Sequence, residues 1–96
     1  LNIKHLKLKI MKITLNILAE DIPNYLNPAK CAITKALQRV GINARDTGAA
    51  IVQNESDKRL TSLFNKDYKY LSDKVVQMFH NSIPVEDFSF EIELDL

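Results

Sequence analysis

Val85-Glu86-Asp87-Phe88-Ser89-Phe90-Glu91-Ile92-Glu93-Leu94-Asp95-Leu96 alternates polar and apolar side chains from Asp87 to its end, and every charge in it is acidic. Such period-two patterning makes a strand with one apolar and one anionic face, and the apolar face needs a core to cover. The stretch therefore predicts a folded domain that ends on a sheet strand.

Upstream of it, Ser72 suits the cap of a helix in which Val75, Val76, Met78 and Phe79 face inward, ended by Asn81 and the Ile83-Pro84 pair. Asn65 to Tyr70 fits either a sheet extension or the beginning of that helix. Arg59 to Phe64 reads as a strand and Asn54-Glu55-Ser56-Asp57 as a turn, so Ala49 to Phe64 predicts a β-hairpin. Ile42 to Asp46 and Gly48 to Gln53 are short extended segments, with Gly48 at a bulge or bend. Before them, Asn27 is an N-cap, Pro28 fits the first helical position, and Ala29, Ile33, Ala36, Leu37 and Val40 form one apolar stripe that Gly41 ends. Met11 to Leu18 is the first strand. Strand, helix, hairpin, helix, strand predicts an α+β two-layer sandwich with both helices on one face of an antiparallel or mixed sheet, a ferredoxin-like arrangement being one candidate.

The facing flips at Met11. Leu6, Leu8 and Ile10 fall on even numbers, whereas Met11, Ile13, Leu15 and Ile17 fall on odd ones, and one flat strand cannot bury both sets. The simplest account makes Met11 the natural start and residues 1–10 an upstream extension; the alternative is a basic arm added to a sheet edge or a neighbouring subunit. Residues 11–96 then form a single domain.

At 96 residues the chain holds one core, near the size where burial only modestly exceeds the entropy of folding, so oligomerisation would help it. The net charge of +1 carries no whole-chain signal for a polyanion partner. Locally, Lys4, Lys7, Lys9 and Lys12 lie at one end and Glu86, Asp87, Glu91, Glu93 and Asp95 at the other, which would attract across neighbouring strands or simply face water. The single cysteine, Cys31, leaves no internal disulfide and no thiol cluster for zinc. No run of the roughly 18 apolar residues of a membrane span occurs, and the N-terminal stretch lacks a signal-peptide core, so a soluble cytoplasmic protein is expected.

Enzyme signatures are missing. The two glycines, Gly41 and Gly48, read as a cap and a bulge rather than a phosphate loop. A Cys31–His80 nucleophile pair is weaker than a small buried thiol, and Glu91, Glu93 and Asp95 read as a solvated strand face rather than metal ligands, so no catalytic, metal or cofactor residue is assigned. The candidate binding surface is basic: Lys30, Lys35 and Arg39 off the helix stripe with Thr34 beside them, then Arg45, Lys58 and Arg59. Such groups suit a phosphate or nucleotide, or are the wet face of an amphipathic helix. Tyr25, Tyr68 and Tyr70 are the aromatics available for stacking on a base, or rim and core residues.

Four stretches, Met11-Lys12-Ile13-Thr14, Cys31-Ala32-Ile33-Thr34-Lys35-Ala36-Leu37-Gln38-Arg39, Leu71-Ser72-Asp73-Lys74-Val75 and Ile83-Pro84-Val85-Glu86-Asp87-Phe88-Ser89-Phe90-Glu91, resemble segments of a group of small bacteriophage- and prophage-encoded proteins. Ala32 stands where that group usually has proline, which leaves open whether the helix begins at Pro28 or nearer Cys31, and Asp87 replaces the proline before Phe88. The resemblance implies a phage setting and, through it, a non-enzymatic binding protein. The first expectation is a counter-defence protein, homo-oligomeric, that sequesters a nucleotide immune signal or blocks a host defence protein. An accessory nucleic-acid-binding module and a protein-binding adaptor are the alternatives, and no membrane partner is expected.

Overall fold

The alternation of the C-terminal segment is realised as β4 (Phe88–Asp95), which pairs antiparallel with β1 (Ile10–Ile17). The computed structural model describes residues 10–62 and 65–96. All but the last residue of the expected extension, and the end of the expected Arg59 to Phe64 strand, lie outside the described residues. The register sets Ile13 opposite Ile92, Leu15 opposite Phe90 and Ile17 opposite Phe88, so the odd positions of β1 and the even positions of β4 share one face. On that face Leu15, Ile17, Ile92 and Leu94 are buried, whereas Lys12, Thr14, Asn16, Ser89, Glu91 and Glu93 on the other are exposed. Lys12 lies across from Glu93, so one opposite-charge pair faces across the two strands. Ile10 continues β1 on the polar face, as the change of facing at Met11 requires, and is 55% exposed.

Both helices lie on the apolar face of this ribbon, giving the α+β layering. α1 (Ala32–Arg39) packs on β1 and on the short strand β2 (Ala44–Asp46), and α2 (Lys66–Phe79) on β4. Tyr70 stacks on Phe90 and Lys74 lies over the Phe88 ring, so α2 shields the open end of the apolar face. α1 ends where glycine was expected: Gly41 has φ +80°, its N–H bonds to the Gln38 carbonyl and that of Ile42 to Leu37, a Schellman cap. Asn81 closes α2 in the same way at φ +59°, with Asn81 N–H on Met78 and Ser82 N–H on Gln77.

Four local expectations change. α1 begins at Ala32 rather than Pro28, because Asn27 directs its side chain to the Ala29 N–H and closes a separate turn, and Cys31 is extended at ψ 160°. α2 begins at Lys66, capped by Asn65 rather than Ser72, so the undecided Asn65 to Tyr70 segment is the first turn of a helix. Residues Ala19–Asn24, which from Ala19 to Pro23 are expected only to end the first strand and lead into a polar connection, form a 3₁₀ helix. The sheet is two ribbons, β1 with β4 and β2 with β3 (Ile51–Gln53). A ferredoxin-like order would set β1 beside β3, but the edge of β3 is taken by the expected hairpin return: the turn at 54–57 brings Arg59 opposite Val52. The Leu60 carbonyl then accepts the Asp95 N–H at 2.7 Å and joins the ribbons through β4.

Asn65 fastens α2 twice: its Oδ1 accepts the Tyr68 N–H at 3.0 Å and its amide donates to the Glu93 carbonyl at 3.3 Å. Asn65→Ala is therefore expected to cost about 1–2 kcal/mol in urea unfolding, the upper range for a lost N-cap, and Asn65→Asp about half of that.

Candidate functional site

Three buried polar side chains meet where α1, β2 and α2 come together, apart from Asp21 at the 3₁₀ helix and Thr61 beside β3. Thr34, Asp46 and Tyr68 are at most 8% exposed. The Thr34 hydroxyl donates to the Pro28 carbonyl at 2.6 Å and accepts the Asp46 N–H at 2.9 Å, so it ties the turn before α1 to β2. Asp46 Oδ1 accepts the Tyr68 hydroxyl at 2.6 Å and the Gly48 N–H at 3.0 Å. The second bond is an Asx turn that allows Gly48 its φ of +87° and swings the chain from β2 towards β3.

Asp46 Oδ2 accepts no hydrogen bond from the described residues. No buried side-chain nitrogen or oxygen among them lacks a partner, so Oδ2 must reach the surface. Asp46 itself lines a concavity of ≈ 160 Å³ together with Tyr25, Leu26, Pro28, Cys31 and Thr47. Burial pushes the Asp46 carboxyl above the ordinary carboxylate range, against the pull of the Tyr68 and Gly48 hydrogen bonds. Burial, and after it the Asp46 charge, holds the Tyr68 hydroxyl far above the ordinary phenol range, so Tyr68 remains a donor. The result is a carboxylate with two donors on Oδ1 and, among the described residues, none on Oδ2.

A second concavity, ≈ 330 Å³, shares Gly48 with the first and is lined by Tyr68, Lys66, Lys69, Ser62 and Ser72, with the carboxylate of Asp73 at the same wall. The Asp46–Tyr68 bond thus stands between an acceptor pocket and one holding two lysines. Neither lysine makes an ion pair with a described residue.

The residues expected to bind an anion are placed differently. Thr34 is buried with its hydroxyl committed. Arg39 pairs with the nearly buried Asp21 and donates to the Asn16 carbonyl, while Arg45 pairs with Asp57 and points to Asn54. These two arginines therefore serve separate ion pairs, at the 3₁₀ helix and at the 54–57 turn. Lys30 and Arg59 are exposed, Lys35 half-buried, and neither concavity above includes any of them; Lys58 borders a third one, with Gly41, Ile42 and Leu96. Of the tyrosines, Tyr25 walls the acceptor pocket and packs on Phe79, Tyr68 is structural to both concavities, and Tyr70 lies on Phe90. Cys31 is buried on Thr34, whereas His80 is exposed at the end of α2 against Phe79, so the two are not paired. Among the described residues no group of three His, Cys, Asp or Glu is placed to hold a metal, and no helix is long and apolar enough to cross a membrane. Comparison with protein-family models, with curated proteins and with solved structures finds no match to this chain.

Proposed function

We propose that this chain is a non-enzymatic binding protein that sequesters a nucleotide in the cleft formed by the two concavities. The base lies on the Tyr25 side against Asp46, and the phosphate on the Lys66 and Lys69 side. The observation that carries this reading is a carboxylate only 5% exposed, one oxygen of which takes no hydrogen bond from the described residues, next to a concavity with two lysines that form no ion pair with a described residue. Every nucleobase brings N–H donors and an apolar face, and phosphate brings the opposite charge for lysine. Together the concavities fall within the usual size of small-ligand sites, several hundred Å³. In the phage setting that the sequence resemblance implies, the ligand is a host nucleotide immune signal, the role is counter-defence, and the place is the host cytoplasm. The basic set around Lys35 and Arg39 is not needed for this binding.

Native mass spectrometry of the chain with a panel of mono- and cyclic dinucleotides is the test, and it also reads subunit number. One nucleotide per chain is expected. Lys66→Ala/Lys69→Ala should weaken binding about tenfold, each partly exposed charge contributing ~0.5–1 kcal/mol, with the melting temperature nearly unchanged. Lys35→Ala should leave the affinity as it is. Absence of any nucleotide adduct at millimolar ligand would remove this reading.

A further inference from the structure

The cleft has a chemical polarity that the nucleotide reading alone does not require. Cys31 Sγ lies 3.2 Å from Thr34 Oγ1, and on distance either atom could donate. The Thr34 proton, however, is committed to the Pro28 carbonyl at 2.6 Å. The proton between Cys31 and Thr34 is therefore the thiol's, and the sulfur has only lone pairs left for the concavity it lines. The same accounting holds for its neighbours. The Tyr68 hydroxyl and the Gly48 N–H are both committed to Asp46 Oδ1. The N–H and hydroxyl of Thr47 both donate to the Ala50 carbonyl, at 3.0 and 3.1 Å. The side chains of the inner wall thus offer acceptors, Asp46 Oδ2 and Cys31 Sγ, with their own protons already committed. Tyr25 adds a ring and a hydroxyl that can donate or accept.

We infer that this end of the cleft selects bases carrying an exocyclic amino group, adenine and cytosine, over the bases that carry a carbonyl oxygen in its place, hypoxanthine and uracil. The inference rests on the nucleotide reading above and adds its specificity. An amino group brings two N–H donors, one for Oδ2 and one for the sulfur. A hypoxanthine or uracil ring brings a single imino N–H and sets a carbonyl oxygen against the remaining acceptor. A buried acceptor left facing an acceptor discriminates far more than a change of size or shape does.

The test is isothermal titration calorimetry of the full chain with AMP against IMP and CMP against UMP. AMP and CMP are expected to bind at least tenfold more tightly than their deaminated counterparts. Asp46→Asn keeps an Oδ1 for Tyr68 and Gly48 but turns an amide donor to the pocket, so it should abolish or reverse that ratio while melting cooperatively. Should that variant fail to fold, Cys31→Ala removes the second acceptor and should reduce the ratio at least threefold. Equal binding of AMP and IMP by the unaltered chain would overturn the inference and leave nucleotide sequestration standing. Failure of all four to bind would overturn the inference, the nucleotide reading itself falling only if the cyclic dinucleotides fail as well, and an AMP-to-IMP ratio unchanged in Asp46→Asn would remove Asp46 from the selection.

Discussion

Thr34→Val is expected to destabilise the protein by about 3 kcal/mol, although valine has the same shape and a higher transfer free energy than threonine. Thr34 is 1% exposed, and its hydroxyl serves the Pro28 carbonyl, the Asp46 N–H and the Cys31 thiol together. Removing it leaves each of these without its partner, at a cost of about 1–3 kcal/mol for a fully buried group and less for the partly buried Pro28 carbonyl. For a domain of this size the loss corresponds to a melting temperature lower by about 15 °C. Thr34→Ser keeps the hydroxyl and loses one methyl group, so it should recover all but about 1 kcal/mol. A valine variant within 1 kcal/mol of the parent in urea unfolding would show that these hydrogen bonds are readily replaced, and the same result would weaken the argument that the Cys31 proton is held inward.

The pattern of what sequence reading found follows the range of the interactions involved. The alternation of β4, the odd-numbered inward facing of β1 from Met11 and the stops at Gly41 and Asn81 are local, and each is as expected. The first and last strands were also legible from their patterning, and their pairing sets Lys12 opposite Glu93. α1 misled because it is covered twice. Ala32, Ile33, Thr34, Ala36 and Leu37 are all buried, a wider arc than one stripe, since β1 takes one side and β2 another. A threonine beside Lys35 reads as polar surface until the second cover is known. The arginines showed their charge but not the carboxylates that meet them: Asp21 lies 18 residues before Arg39, in a 3₁₀ helix that propensity did not reveal. Asp46-Thr47-Gly48 carried a visible signal, that of an Asx turn, and Gly48 was read as a bend for its own reasons. What no local pattern contained was Tyr68, 22 residues away, arriving on the first turn of a helix whose cap had been sought at Ser72.

The same pair gives the second large effect, and its sign depends on pH. Tyr68→Phe removes a 2.6 Å hydrogen bond to the Asp46 carboxylate, and bonds to charged groups contribute about 1.5–3 kcal/mol. Asp46 already has its folded-state pKa raised above its ordinary 3.8, chiefly by burial. A carboxyl raised in this way binds its proton more tightly in the folded chain than in the unfolded one. Its contribution to stability is therefore fully present below pH 3.8 and is lost as pH rises through the folded-state value. The Tyr68 hydroxyl opposes that loss by stabilising the charged form, while remaining protonated itself throughout. Without it the folded-state pKa rises further and the window of lost stability widens upward. Tyr68→Phe should accordingly cost about 2–3 kcal/mol at pH 7 but only about 1 kcal/mol near pH 3.5, where a neutral carboxyl loses an ordinary hydrogen bond. Urea unfolding of the parent and the variant across this range measures both numbers. In an Asp46→Asn background the difference between the two pH values should vanish, because no proton is exchanged at the site. A loss that is equal at both pH values in the unaltered background would mean that Asp46 is not the charged partner. A carboxylate held ionised by a tyrosine on one side and left open on the other has its remaining demand directed at the concavity, and a donor supplied by a ligand would meet it there.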